Sequence, residues 1–313
     1  MINKNIYKYK IKKYKSRYKE LKQKLNRLTN KRKLDIMYLG GVIPKKMKKI
    51  EKIKKYSLCT FNIWNINYSK LEQRISYLVD EVLKLDVDII CLVGVNNIAL
   101  QYMKSRFELK QKYYFIQTNE VLSTYVLTKY KPRNIVKYEE QDNELLVVEY
   151  NNLSVIICDI PKKKDKYLML LHKTFETLKK NNNKNIIITG NFNQDLNKDT
   201  SILKKFNIKA LWTELNNTVE YTENTTVNKM LWNYTFKRIF TRNIGILSFS
   251  LSISKNSMIK IIGNESIFNI NKDDNDYHLY KLKHKLDERF IKYTNNRLPY
   301  WISGNFGIFL NNK

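Results

Sequence analysis

Apolar and polar positions alternate along this chain in two distinct periods. Near the N-terminus, Tyr7, Ile11, Tyr14, Tyr18, Leu21, Leu25 and Leu28 recur at intervals of 4, 3, 4, 3, 4 and 3. That a/d spacing predicts an amphipathic helix whose seam either pairs with another helix, docks on a partner, or packs back on its own domain. Gly40, Gly41 and Pro44 break the pattern before a second basic stretch, "KKMKKIEKIKK" at 45–55. From residue 56 the period changes. Continuous apolar runs at 57–64, 87–95, 123–130, 144–150, 153–160 and 185–193 predict buried strands. Residues 69–85 predict a helix, with Leu71, Ile75, Leu78 and Val82 on one face and Ser69 with Glu72 forming a capping box. A second helix is expected over about 166–180, with Leu168, Leu171, Phe175 and Leu178 on its apolar face. Several short strands follow over 219–270. Strand runs with few long helices point to an α+β sandwich with helices outside.

Composition narrows the class. The 313 residues are 43% hydrophobic with 8 Gly and 4 Pro, which supports a packed core and excludes low-complexity and fibrous classes. The formal charge of +29 is uneven: residues 1–56 hold 21 Lys/Arg against 3 acids, and the remainder 37 against 26. A basic arm on a moderately basic domain suits a polyanion, nucleic acid or an anionic membrane surface. Lys, Asn, Ile and Tyr are all abundant, as in products of AT-rich genomes, so nucleotide bias accounts for part of the lysine excess. Cys59, Cys91 and Cys158 lie inside apolar runs without CxxC spacing, which suggests buried thiols of a reducing, intracellular compartment and leaves nucleus against cytoplasm open. No apolar stretch approaches the ~18 residues of a spanning helix, and the N-terminus lacks a signal-peptide core.

The order of motifs is more specific than any one of them. "TFNIWN" (60–65), "LDVDIICLVGV" (85–95), "STYVLTKYKP" (123–132), "IIITGNFN" (186–193) and "DNDYHLYKLK" (274–283) follow one another as the signature segments of one superfamily do. The stretch 56–285 thereby resembles the endonuclease/exonuclease/phosphatase superfamily, the DNase I-like proteins, in a degenerate form. The resemblance implies a four-layered β-sandwich flanked by helices, preceded here by the basic arm and linker of 1–55 and followed by an extension at 286–313. It also implies Mg²⁺-dependent phosphoester hydrolysis on loops at one end of the sandwich, with a Glu on the metal, an Asp aiming water, and Asn and His at the phosphorus centre.

Carried over position by position, the polar shell is half present. Asn62 and Asn193 match family asparagines and become phosphate-binding candidates, and Asp276 matches the Asp of the closing S-D-H motif. The charged centre departs from the family. The metal-binding Glu falls at Gly94 and its preceding Gln at Val93. The Asp of G-D-F-N is Asn191, an amide that donates a hydrogen bond but cannot act as a base. A strand-ending His falls at Asp159, the Asp of R-I-D-Y near Ile244 or Gly245, and the closing His at Tyr277 with His278 one place late. A positioned acid or base contributes on the order of 10²–10⁴ in rate, and losing the metal's carboxylate removes charge stabilisation as well.

The expectation is therefore a pseudoenzyme with no metal and no cofactor, in which Asn62, Asn191, Asn193, Asp276 and His278 line a vestigial site. Its partners would be nucleic acid, bound through phosphates, or a larger assembly, with the seam of Tyr14, Tyr18, Leu21, Leu25 and Leu28 serving helix-mediated dimerisation or docking. One alternative keeps an active Mg²⁺ phosphodiesterase whose ligands are rearranged onto Asp159 and Asp276, with Asp195, Asp273, Asp274 and His278 nearby. Another is a protein-interaction subunit without polyanion binding. His172 and His284 are expected to be structural or solvent-facing. Tyr300, Trp301, Phe306 and Phe309 either cap the core edge or bind a partner.

Overall fold

A computed structural model of the chain describes residues 53, 55–63, 71–117, 124–140, 143–160, 165–180, 185–193, 195–196, 204, 208–216, 223–224, 240–241, 244–249, 256–262, 268–270, 298–300 and 307–312. The heptad seam, Asp273, Asp274, Asp276, Tyr277, His278 and His284 lie outside them. The elements in chain order are β1 (Tyr56–Asn62), α1 (Leu71–Lys84), β2 (Ile89–Val93), α2 (Asn97–Ser105), α3 (Phe107–Lys112), β3 (Tyr114–Gln117), β4 (Tyr125–Thr128), β5 (Asn134–Glu140) and β6 (Asn143–Glu149). There follow β7 (Ser154–Asp159), α4 (Asp165–Lys180), β8 (Ile186–Asn191), β9 (Lys209–Ala210), α5 (Leu211–Asn216), β10 (Glu223–Asn224) and β11 (Phe240–Thr241). The last are β12 (Ile244–Phe249), β13 (Met258–Ile262), β14 (Phe268–Ile270), β15 (Leu298–Tyr300) and β16 (Gly307–Asn312).

Two six-stranded sheets carry the fold, one in the order β13-β16-β1-β2-β4-β3 and the other in the order β5-β6-β7-β8-β12-β9. Each contains one parallel pair bridged by a helix: β1 and β2 by α1, β7 and β8 by α4. The other pairings are antiparallel. The continuous apolar runs of β1, β2, β7 and β8 are explained by burial on both faces. Alternate residues divide between two layers. Cys59, Phe61, Ile90 and Leu92 pack with Ile75, Leu78, Val79 and Val82 of α1. Ile156, Cys158, Ile186 and Ile188 pack with Leu171, Phe175 and Leu178 of α4. The opposite faces of β1, β2, β7 and β8 meet between the sheets. Helices, sheet, sheet and helix thus form the layered α+β sandwich expected from the sequence.

All three cysteines are buried and free. Residues 307–312, assigned from sequence to an extension, form β16, which pairs with β1 on one side and β13 on the other. Phe309 is buried in the core beneath α1. A short run after Gly307 gave little periodicity by which to recognise an interior strand. No helix among the described residues is long and apolar enough to cross a membrane.

Candidate functional site

The parallel pairs orient the molecule. Asp88, just before β2, accepts hydrogen bonds from the Ser57 backbone N–H at 2.9 Å and from its hydroxyl at 3.1 Å. Thr128, opposite Ile89 at the start of β2, accepts from the Tyr150 hydroxyl at 3.0 Å, just before β7. Both sheets therefore begin their parallel strands at one pole. Their ends, Asn62 beside Val93 and Asp159 beside Asn191, mark the other pole. By strand alternation Asn62, Val93, Asp159 and Asn191 all fall on the inner faces, at the mouth between the sheets.

Local sequence explains the loop after β8. Gly190 has φ +127, and a Cβ there would lie 2.0 Å from the Cys158 carbonyl oxygen, so the close approach of β7 and β8 requires glycine. Phe192 is fully buried and pins the turn. Asn193 then adopts φ 47, a left-handed conformation that asparagine tolerates. Its side chain donates to the carbonyl of Ile160, and its backbone N–H donates to Asn191 Oδ1 at 3.2 Å.

The amide of Asn191 is used from both ends. Besides accepting from Asn193, it donates through Nδ2 to Asp159 Oδ1 at 3.0 Å. The residue is 8% exposed. Burial holds the Asp159 carboxyl above its usual range, with the Asn191 N–H pulling the other way. The Asp159 backbone N–H donates to the Tyr167 hydroxyl at 3.1 Å, and the Ile160 N–H to the Asn191 carbonyl at 2.8 Å. Structure thus brings Asp159, Asn191 and Asn193 into one hydrogen-bonded latch. Asn62 shares the pole.

The neighbouring positions are filled without acids. Gly94 has φ 68, and the turn it makes delivers the chain to Asn96, whose side chain accepts from the Ala99 N–H at 2.7 Å and caps α2. Ile244 is fully buried and pairs with Asn191. A Cβ at Gly245 would lie 2.3 Å from Leu196 Cδ1, so apolar packing occupies the space a side chain at 245 would need. Sequence reasoning missed Arg74 of α1, which is fully buried and donates to the Ile63 carbonyl at 2.8 Å, holding the chain just past Asn62. An arginine in an otherwise apolar stripe was the available signal.

Mg²⁺ requires hard oxygen ligands, typically one or two carboxylates. Of the acids near this loop, Asp159 is engaged by Asn191 and Asp195 lies two residues beyond Asn193. No group of three His, Cys, Asp or Glu side chains suited to a metal occurs among the described residues. The described residues do not fit the ion, and no catalytic step through it follows from them.

No family model and no curated relative matches the chain. Solved structures do. TDP2 of D. rerio, crystallised with a single strand DNA product, is 15% identical with a TM-score of 0.57, covering 82% of this chain and 98% of that one. TDP2 of Caenorhabditis elegans is 12% identical with a TM-score of 0.60, over 84% and 76% of the two chains. A mannosyl-6-phosphatase of Bacteroides thetaiotaomicron is 12% identical with a TM-score of 0.53, over 82% and 98%. Layer order, the two helix-bridged parallel pairs and these likenesses lead to one conclusion: the chain has the fold of the endonuclease/exonuclease/phosphatase superfamily, the DNase I-like sandwich.

Proposed function

We propose that this chain is a catalytically degenerate member of that fold which serves as a nucleic-acid-binding or scaffolding subunit. One observation carries the reading: the Asn191 amide is spent on Asp159, in the place where the resemblance puts a water-aiming carboxylate. An amide with its N–H given to a neighbouring carboxyl neither accepts a proton nor orients a nucleophile as a base does. Gly94, bare and left-handed, supports the same reading at the metal position. The solved neighbours include a protein with a single strand DNA product and a sugar phosphatase, so fold alone does not choose the polyanion. The net charge of +29 favours a long one.

The test is incubation of the full chain with labelled single-stranded DNA, duplex DNA, RNA and a sugar phosphate, with Mg²⁺ and with EDTA. No EDTA-sensitive turnover is expected, while nucleic acid binds with an affinity that falls steeply with salt. The runner-up, an active phosphodiesterase with rearranged ligands, draws on Asp159 being an acid at the mouth. Turnover abolished by EDTA and by Asp276→Ala would establish it instead. Assembly that survives neutralising the lysines of 1–56 but is lost in Leu21→Asp with Leu25→Asp would favour a pure protein-interaction role.

A further inference from the structure

The chain approaches β1 through a reciprocal pair of hydrogen bonds made by one side chain. Asn152, in the turn between β6 and β7, accepts from the Ile53 N–H at 2.8 Å and donates to the Ile53 carbonyl at 2.9 Å. A carboxamide offers the same donor and acceptor as a peptide group, so Asn152 satisfies Ile53 as a neighbouring strand would. Ile53 is buried, which makes those partners necessary. The turn that carries Asn152 is itself fixed. The Tyr150 N–H donates to the Leu153 carbonyl at 2.7 Å, and the Asn185 side chain, just before β8, donates to the Asn152 carbonyl at 3.0 Å.

Closer to β1 the chain is tied to the other sheet. Tyr130 follows β4, and its hydroxyl donates to the Lys55 carbonyl at 3.2 Å. The Tyr130 N–H donates to Thr128 Oγ1 at 3.1 Å, the same oxygen that accepts from the Tyr150 hydroxyl. The Tyr130 and Tyr150 rings meet edge to face with centroids 6.2 Å apart. Ile53 thus rests on a turn of one sheet and Lys55 on a residue of the other. Immediately after them comes β1, an interior strand paired with both β2 and β16.

We infer that Ile53 and Lys55 form a strap across the two sheets, which opens locally and releases the segment before β1 while β1 itself stays folded. What holds each part sets this behaviour. β1 is buried on both faces and hydrogen-bonded along both edges. Among the described residues, the strap is held through two side chains, Asn152 and Tyr130, and by the burial of Ile53. Segments with few buried apolar contacts open far more often than the core they adjoin. The seven residues of β1, about 20 Å, separate the strap from Asn62, so its opening belongs to the fold and not to the altered site.

Trypsin digestion of the full chain, followed by mass spectrometry, tests the strap, because the bond cleaved after Lys55 is the one whose carbonyl Tyr130 holds. Cleavage there should be slow in the wild type and at least about tenfold faster in Asn152→Ala, since proteolysis follows the population of the open form. Tyr130→Phe, which removes only a hydroxyl, should speed the same cleavage about threefold or more. Hydrogen exchange of the Leu58, Cys59 and Phe61 amides in β1 should stay within about twofold of wild type in both variants. A wild-type cleavage rate after Lys55 in either variant overturns the strap. So does wild-type cleavage there as fast as in a free peptide of the same sequence. A matching rise in β1 exchange in Asn152→Ala also overturns it, because Asn152 would then hold the whole sandwich and not a local segment.

Discussion

Asn191 and Asp159 form a matched donor and acceptor, and the match predicts what restoring a carboxylate would do. Asn191→Asp sets two carboxyl groups where 3.0 Å now separates an N–H donor from its acceptor. Like charges at that distance force the pair to keep a proton, so the folded state binds more protons than the unfolded one. The variant should be destabilised by about 2 kcal/mol at neutral pH and should recover as pH falls, read by urea unfolding at two pH values. The wild-type Asp159 acts in the same sense more weakly. Its carboxyl is raised in the folded chain, so its unfavourable contribution appears as pH rises through the folded value and fades below the unfolded one. Asp159→Asn should therefore flatten stability against pH on the acid side and cost little at neutral pH. Gly94→Glu would place an acid where the resemblance puts the metal's Glu, yet φ 68 there should cost about 1–2 kcal/mol, and no Mg²⁺-dependent gain in melting temperature is expected. Arg74→Ala should cost about 3 kcal/mol in urea unfolding, since it empties a packed site and leaves the Ile63 carbonyl without its guanidinium donor.

At the level of elements, β16 is the piece whose weight was least visible. It supplies a partner to both β1 and β13, and Gly307 lets the strand pass Phe61, whose ring carbon would lie 2.1 Å from an added Cβ. Removing 307–313 should therefore abolish folding, read as loss of a cooperative thermal transition. Gly307→Ala should lower stability by about 1–3 kcal/mol through overpacking. A truncated chain that melts normally would return the segment to the status of an appendage. The central strands were legible because β1, β2, β7 and β8 are apolar on both faces, and α1 and α4 because their stripes run for 14 and 16 residues. The six-residue α3, the four-residue β3 and the two-residue β9 offered too few positions for a period to show. At the site, the motifs locate Asn62, Asn191 and Asn193, and Asp159 stands where the resembled family has His. Its bond to Asn191 depends on β7–β8 register, which no single strand's sequence contains.

Across the whole molecule, the parallel strands of both sheets begin at one pole and end at the mouth between the sheets. The mouth keeps its geometry through glycine turns, a buried phenylalanine and amide hydrogen bonds, all of which are independent of a metal. The central claim is that the mouth no longer grips a divalent ion, and Mn²⁺ titration followed by electron paramagnetic resonance tests it directly, because Mn²⁺ favours the same oxygen ligands as Mg²⁺. The account expects only weak, non-saturating association, unchanged in Asp159→Asn. A stoichiometric Mn²⁺ signal that disappears in Asp159→Asn or Asp276→Ala would contradict it.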